Sequence, residues 1–190
     1  MAERKRLTPR AWAAAALEAL AEGGVTAVAV EPVAARLSTT KGSFYWHFRN
    51  RDALLEAALL LWERTDTEGV ITLLEAEPDP RLRLRDLLTV VLGTPAGHAS
   101  ARVELALQPA AAHPLVAPVL ARVTRRRLDY ITGLFTALGF PADEARRRSV
   151  FAFTAYLGLA QLSHATPEFA PAAAELPAYV DGLLTTLLAP

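Results

Sequence analysis

A chain of 190 residues, 52% of them hydrophobic, is long enough to bury a sound core as one domain or as a small domain beside a larger one, which excludes a largely disordered chain. It holds no cysteine, so a disulfide framework and a thiolate metal site are both excluded and a reducing compartment suits it. Its formal charge is zero, which argues on its face against nucleic acid, yet residues 1–55 carry eight Lys/Arg against five acids and the remainder carries the opposite excess. A basic head on an acidic body suits a protein that touches DNA with one end.

The chain opens with Arg4, Lys5 and Arg6, a basic arm within reach of backbone phosphates. An amphipathic helix follows in place of an apolar core with a cleavage site, so the expected location is the cytoplasm. Thr8 is a good N-cap with Pro9 at the first helical position, and the helix runs to about Glu22, where Gly23-Gly24 stops it. Trp12, Ala16 and Leu20 form its apolar stripe, widened by Ala13 and Leu17. From Glu31 to Leu37 a short helix places Val33, Ala34 and Leu37 on one side.

A polar connection at Ser38 and Thr39 leads into Thr39-Thr40-Lys41-Gly42-Ser43-Phe44-Tyr45-Trp46-His47-Phe48, read as a short helix with two unlike faces. Phe44 and Phe48 lie four residues apart and stack as anchors to a small core shared with Trp12, Leu17, Leu20, Val33 and Leu37. The other positions offer hydrogen-bonding groups of the kind that meet phosphates or base edges, and Gly42 leaves a bare spot where a partner's backbone can come close. Two short helices joined by a tight turn, the second carrying the polar surface, form a helix-turn-helix.

Ala34-Ala35-Arg36-Leu37 followed by Lys41-Gly42-Ser43-Phe44-Tyr45-Trp46-His47-Phe48-Arg49-Asn50-Arg51-Asp52-Ala53-Leu54 resembles the signature of the tetracycline-repressor family of transcriptional regulators. The likeness covers about the first third of the chain. The family usually has glycine and an apolar residue in the turn where this chain has Ser38 and Thr39. The resemblance implies a head at residues 1–50 that reads double-stranded operator DNA and a ligand-binding, dimerising body at 51–190. Thr39, Thr40, Lys41, Gly42, Ser43, Tyr45, Trp46 and His47 would then face DNA, with Thr40, Lys41 and Ser43 toward base edges. Thr26, Tyr45, His47 and Arg51 would meet phosphates.

Asn50 caps the next helix, which runs to about Leu74 or Ala76 and is too long for the head alone; the resemblance implies that it transmits ligand occupancy. After a break at 77–80, a helix spans Arg81 to Leu92, and residues 93–98 read as a loop. Ser100 to Ala112 is helical, with a kink or early end at Pro109. Leu115 to Leu138, Asp143 to His164 and Leu176 to Leu188 complete an all-α fold of about nine helices.

Ser149 to Pro167 carries no Asp, Glu, Lys or Arg, but its polar interruptions and the matching stripe of the last helix favour a dimer contact from the last two helices over a membrane span. The triplets Arg125-Arg126-Arg127 and Arg146-Arg147-Arg148 fan around their helices and read as solvated surface.

No nucleophile motif, phosphate-cradling loop or metal-ligand spacing occurs, so neither an enzyme nor a cofactor or metal is expected. Trp62, His98, Gln108, Phe135, Phe151, Phe153, Tyr156 and Gln161 are the aromatic, imidazole and amide residues placed to line a cavity for a small, mostly apolar effector, with no acid or base standing out as a charge partner. The expected activity is a repressor, homodimeric on a roughly palindromic operator and released by that effector. A regulator without an inducer is the alternative, and a helical enzyme a more remote one.

Overall fold

The structure is a computed structural model and describes residues 7–189; the basic arm Arg4-Lys5-Arg6 lies outside the described residues. All regular structure among them is helical: α1 Pro9–Ala27, α2 Val30–Arg36, α3 Lys41–Phe44, α4 Arg51–Glu63, α5 Gly69–Leu74, α6 Pro80–Gly93, α7 Pro95–Leu107, α8 Val116–Ala137, α9 Ala142–Ala165 and α10 Leu176–Leu188. One π-helical turn, Arg64–Glu68, joins α4 to α5 in a single rod, and counting that rod once gives the nine helices expected.

The head forms as its signals dictate. The Thr8 hydroxyl accepts from the Ala11 N–H, and the glycine pair bends α1, since Gly24 adopts φ +69, a conformation costly to a residue with a Cβ. One further turn follows the bend, so α1 ends at Ala27 instead of Glu22. The end of α2 is a Schellman closure, in which Ser38 N–H donates to Ala35 O and Thr39 N–H to Ala34 O, both at 3.0 Å. Ser38 takes the left-handed position at φ +50, where glycine is the usual residue.

The second helix of this pair is shorter than expected: after Phe44 the chain continues as a turn, with His47 and Phe48 N–H both donating to Phe44 O. Even so, Phe44 and Phe48 stack with ring centroids 5.7 Å apart, and Trp12 meets Phe44 edge-on at 5.5 Å.

The packing divides into two clusters. The first joins Trp12, Leu20, Val33, Phe44 and Phe48 to Leu54, Leu55, Leu59 and Trp62 of α4, and onward to Val103 and Leu107 of α7 and Val116, Val119 and Val123 of α8. The head therefore rests on the body through α1 as well as through α4. The second cluster packs Leu84, Leu88 and Leu92 of α6 against Ile131, Leu134 and Phe135 of α8, with α9 and α10 beside them.

The expected loop at 93–98 is instead the first turn of α7. Thr94 caps it by accepting from Gly97 N–H at 3.1 Å. Gly97 lies where α7 crosses α6 so closely that a Cβ would stand 2.3 Å from Val90 O and 2.6 Å from Val91 O. Glycine here serves close approach, a use that the sequence does not distinguish from a loop. Pro109 ends α7, which gives way to a short 3-10 turn at Gln108–Ala110. No helix among the described residues is long and apolar enough to cross a membrane.

Candidate functional site

The outer face of the second helix is built on buried rings. Because Phe44 and Phe48 are buried, the residues between and before them turn outward. Tyr45 is 57% and Trp46 87% exposed, the latter against complete burial for Trp12 and Trp62. Thr40, Lys41 and Gly42 are exposed, and Thr39, Ser43 and His47 half-buried, so all eight residues from this stretch keep some surface open to solvent. A Cβ on Gly42 would meet only the Thr40 side chain, at an ordinary 3.6 Å. The fold itself does not need glycine there.

Two basic groups of this region are already engaged. The Lys41 ammonium lies 2.6 Å from Glu31 Oε1, an exposed pair in which hydrogen bonding raises the lysine pKa and lowers that of the carboxyl. Arg51 turns inward, with Nε donating to Val28 O at 2.9 Å and a second nitrogen to Val25 O, which ties the start of α4 to the α1–α2 connection. The exposed Thr26 sits in the last turn of α1, its hydroxyl donating to Gly23 O at 3.3 Å.

A cavity of about 140 Å³ lies in the body between the π-turn, α5, α6, α7, α8 and α9. Its walls are mostly apolar, including Ile71, Leu87, Val91, Ile131 and Phe153. One end is polar, formed by Thr67, Ser100, Arg127 and Tyr156. Behind that end Glu104, 2% exposed, receives Arg127 at 2.6 Å and the Tyr156 hydroxyl at 3.3 Å. Burial beside this carboxylate drives the Tyr156 pKa well above its ordinary value, which keeps the hydroxyl a donor. Arg127 also donates to Thr67 Oγ1 at 3.0 Å and stacks over Trp62 at 5.3 Å, while Trp62 Nε1 donates to Ser100. The Tyr130 hydroxyl, also at the cavity, is buried without a hydrogen-bond partner among the described residues.

Of the eight residues expected at a cavity, Phe153 and Tyr156 line this one and Trp62 stands directly behind it. The others do not converge. His98 is exposed and lines a separate groove beside α9, its ring 2.8 Å from Leu92 O. Gln108 is exposed beside α8, and Phe135 is core, edge-on to Phe140. Phe151, 66% exposed, and Gln161 sit on the outer face of α9.

Of the arginine triplets read as solvated surface, Arg125, Arg126, Arg146 and Arg147 are exposed, and the reading is corrected for Arg127 and Arg148. Arg127 is half-buried on Glu104, while the exposed Arg126, like Arg122 one turn before it, forms a surface pair, with Glu68 and Glu63 respectively. Arg148 packs on Phe140 and bonds Glu144. Three consecutive arginines necessarily point three ways. The missed signal was Glu104, a lone acid at an otherwise apolar stretch of α7, for which a buried position demands a cationic partner.

Residues 13–58 match the sequence model of the bacterial regulatory proteins, tetR family. Over these residues the chain carries the DNA-binding head of the TetR family. Its head is the helix-turn-helix of a DNA-binding transcription regulator, and α3 is the second helix of that unit. No curated protein matches the chain in sequence.

Solved structures share the whole TetR fold. A transcriptional regulator from Rhodococcus sp. Rha1 superposes with a TM-score of 0.79 at 23% identity, over 96% of each chain. FadR from Bacillus subtilis, in complex with stearoyl-CoA, gives 0.70 at 16% identity over 94% of this chain and 97% of that one. AibR, in complex with isovaleryl coenzyme A and operator DNA, gives 0.67 at 22% identity over 99% and 100%.

Proposed function

We propose that this TetR-family regulator is a cytoplasmic, homodimeric repressor that binds a roughly palindromic operator and leaves it when a small, mostly apolar molecule occupies the cavity. The observation that carries the DNA reading is the outward display of Tyr45 and Trp46, beside Lys41 and an otherwise unneeded Gly42, on a segment pinned by the buried Phe44 and Phe48. Large aromatics kept in water by a head whose other rings are buried are suited to a partner.

Thr39, Thr40, Lys41, Ser43, Tyr45, Trp46 and His47 meet DNA, with Thr40, Lys41 and Ser43 at base edges, Tyr45 and His47 at phosphates, and Thr26 at an adjoining phosphate. The head, residues 1–50, moves as a unit on the body, 51–190. Arg51 is assigned to bracing, since it donates to the Val25 and Val28 carbonyls and to Asp52.

Support for the dimer comes from α9, whose uncharged outer face exposes Val150, Phe151 and Leu162. With part of α10, this face meets a second copy, and the two heads then reach successive major grooves about 34–36 Å apart. The cavity, apolar with one polar end, has the make-up of a small-molecule site, and operator-bound and acyl-CoA-bound neighbours share its fold.

The test is binding of the purified chain to DNA flanking its own gene at 50 and 200 mM salt, with Lys41→Ala and Tyr45→Ala. Tight, steeply salt-dependent binding that weakens in both variants supports this function. DNA binding that both variants retain in full sinks the assignment of this face. A regulator without an effector would hold its DNA in the presence of every compound that occupies the cavity.

A further inference from the structure

The rod of α4 and α5 carries a defect where it passes the cavity. The π-turn at Arg64–Glu68 inserts an extra residue into the helix, an arrangement that is rare and concentrates at functional sites. Its two inward groups are both held by one side chain from α8: Arg127 donates Nε–H to Thr67 Oγ1 at 3.0 Å and reaches the Asp66 carbonyl at a long 3.4 Å. The third anchor of the guanidinium is Glu104, at 2.6 Å. Three of its five N–H donors are thus engaged, which leaves two on a side chain that lines the mostly apolar cavity.

Charge decides what can meet those donors. Arg127 and Glu104 neutralise each other, while the Asp66 carboxylate is turned to the exposed Thr65 hydroxyl. A carboxylate head would bring a second negative charge beside Glu104, and an ammonium head would face Arg127 with Glu104 already paired. An uncharged acceptor such as an amide, ketone or ester oxygen meets neither penalty.

Resting on the reading of the cavity as the effector site, we propose that Arg127 is both the recognition residue and the trigger. The effector is an uncharged, largely apolar molecule with one hydrogen-bond acceptor, which takes donors of Arg127 and loosens its hold on the π-turn. The Asp66 carbonyl bond is the one displaced, being the longest of the three. Freed of it, the turn can repack, and α4 carries the change to its start at Arg51, where it is bonded to the head.

The cavity, about 140 Å³, is of the size that holds a benzene ring, which sets the probes. The full-length protein is titrated calorimetrically with toluene, benzamide, benzoate and benzylammonium, one ring with four heads. Benzamide should bind at least tenfold more tightly than the other three. Arg127→Lys, which keeps the charge but loses the planar fork, should abolish that preference. Because Arg127 alone cannot be removed without stranding Glu104, the second variant is Arg127→Met with Glu104→Leu, an apolar replacement of the pair whose folding is checked by a thermal melt. It should bind benzamide no better than toluene.

Benzamide should also lower the affinity for the flanking DNA at least fivefold in the natural chain, with no such response in the double variant. Equal binding of all four probes to the natural chain overturns the role of Arg127 and leaves the effector cavity standing; binding of none at millimolar concentration removes both. An undiminished DNA response in the double variant places the trigger elsewhere.

Discussion

Replacing Ser38 with glycine should stabilise the protein. Ser38 is the left-handed residue of the Schellman closure that ends α2, at φ +50, and its hydroxyl makes no hydrogen bond among the described residues. A residue with a Cβ in that conformation costs roughly 1–2 kcal/mol. Glycine removes that cost but gains unfolded-state entropy worth about 0.4–1 kcal/mol. The difference favours Ser38→Gly by about 0.5–1 kcal/mol, or about 1–4 °C in melting temperature for a chain of this length. The assay is reversible thermal or urea unfolding of both proteins, with Ser38→Ala as a control, expected to change little because it keeps the Cβ. A Ser38→Gly protein that melts at or below the natural chain would refute the reasoning and show that serine fits the turn without strain.

Three further outcomes follow from named contacts. Glu31→Gln frees the Lys41 ammonium and removes an acid from the DNA-facing side, so affinity for the flanking DNA should rise about threefold to tenfold while the melting temperature stays unchanged. Gly97→Ala drives a methyl into the backbone carbonyls of Val90 and Val91 and should cost about 3 kcal/mol or more, seen as a melting point about 6–12 °C lower. Arg51→Lys loses the fork that bonds two carbonyls and should lower stability by about 2 kcal/mol in urea unfolding. A DNA-binding loss with unchanged stability would instead return Arg51 to the phosphate contacts.

Much of the fold was legible because local chemistry and tertiary packing agree in it. Thr8-Pro9, Asn50 and the spacing of Phe44 and Phe48 marked caps and a buried face that the structure reproduces. The sequence misled where a residue type serves two purposes. Gly93 to Gly97 looks like a loop because glycine for a helix crossing is indistinguishable in one dimension from glycine for a turn.

The cavity was legible only in part for a related reason. Aromatic residues on α8 and α9 face inward, outward or into the core according to a helical phase that a nearly charge-free stretch does not reveal, so Phe153 and Phe151 were indistinguishable in advance. Arg127 and Glu104 lie 23 residues apart in sequence on successive helices, and their pairing appears only in three dimensions.

The central claim, that DNA lies on the α3 face, is tested most directly by acrylamide quenching of tryptophan fluorescence with and without the flanking DNA. Trp12 and Trp62 are fully buried and Trp46 is 87% exposed, so quenching of the free protein reports on one residue. The account predicts that saturating DNA shields most of the quenchable emission and that Trp46→Phe removes the quenchable component altogether. A Trp46 that remains as accessible in the DNA complex as in the free protein would contradict it.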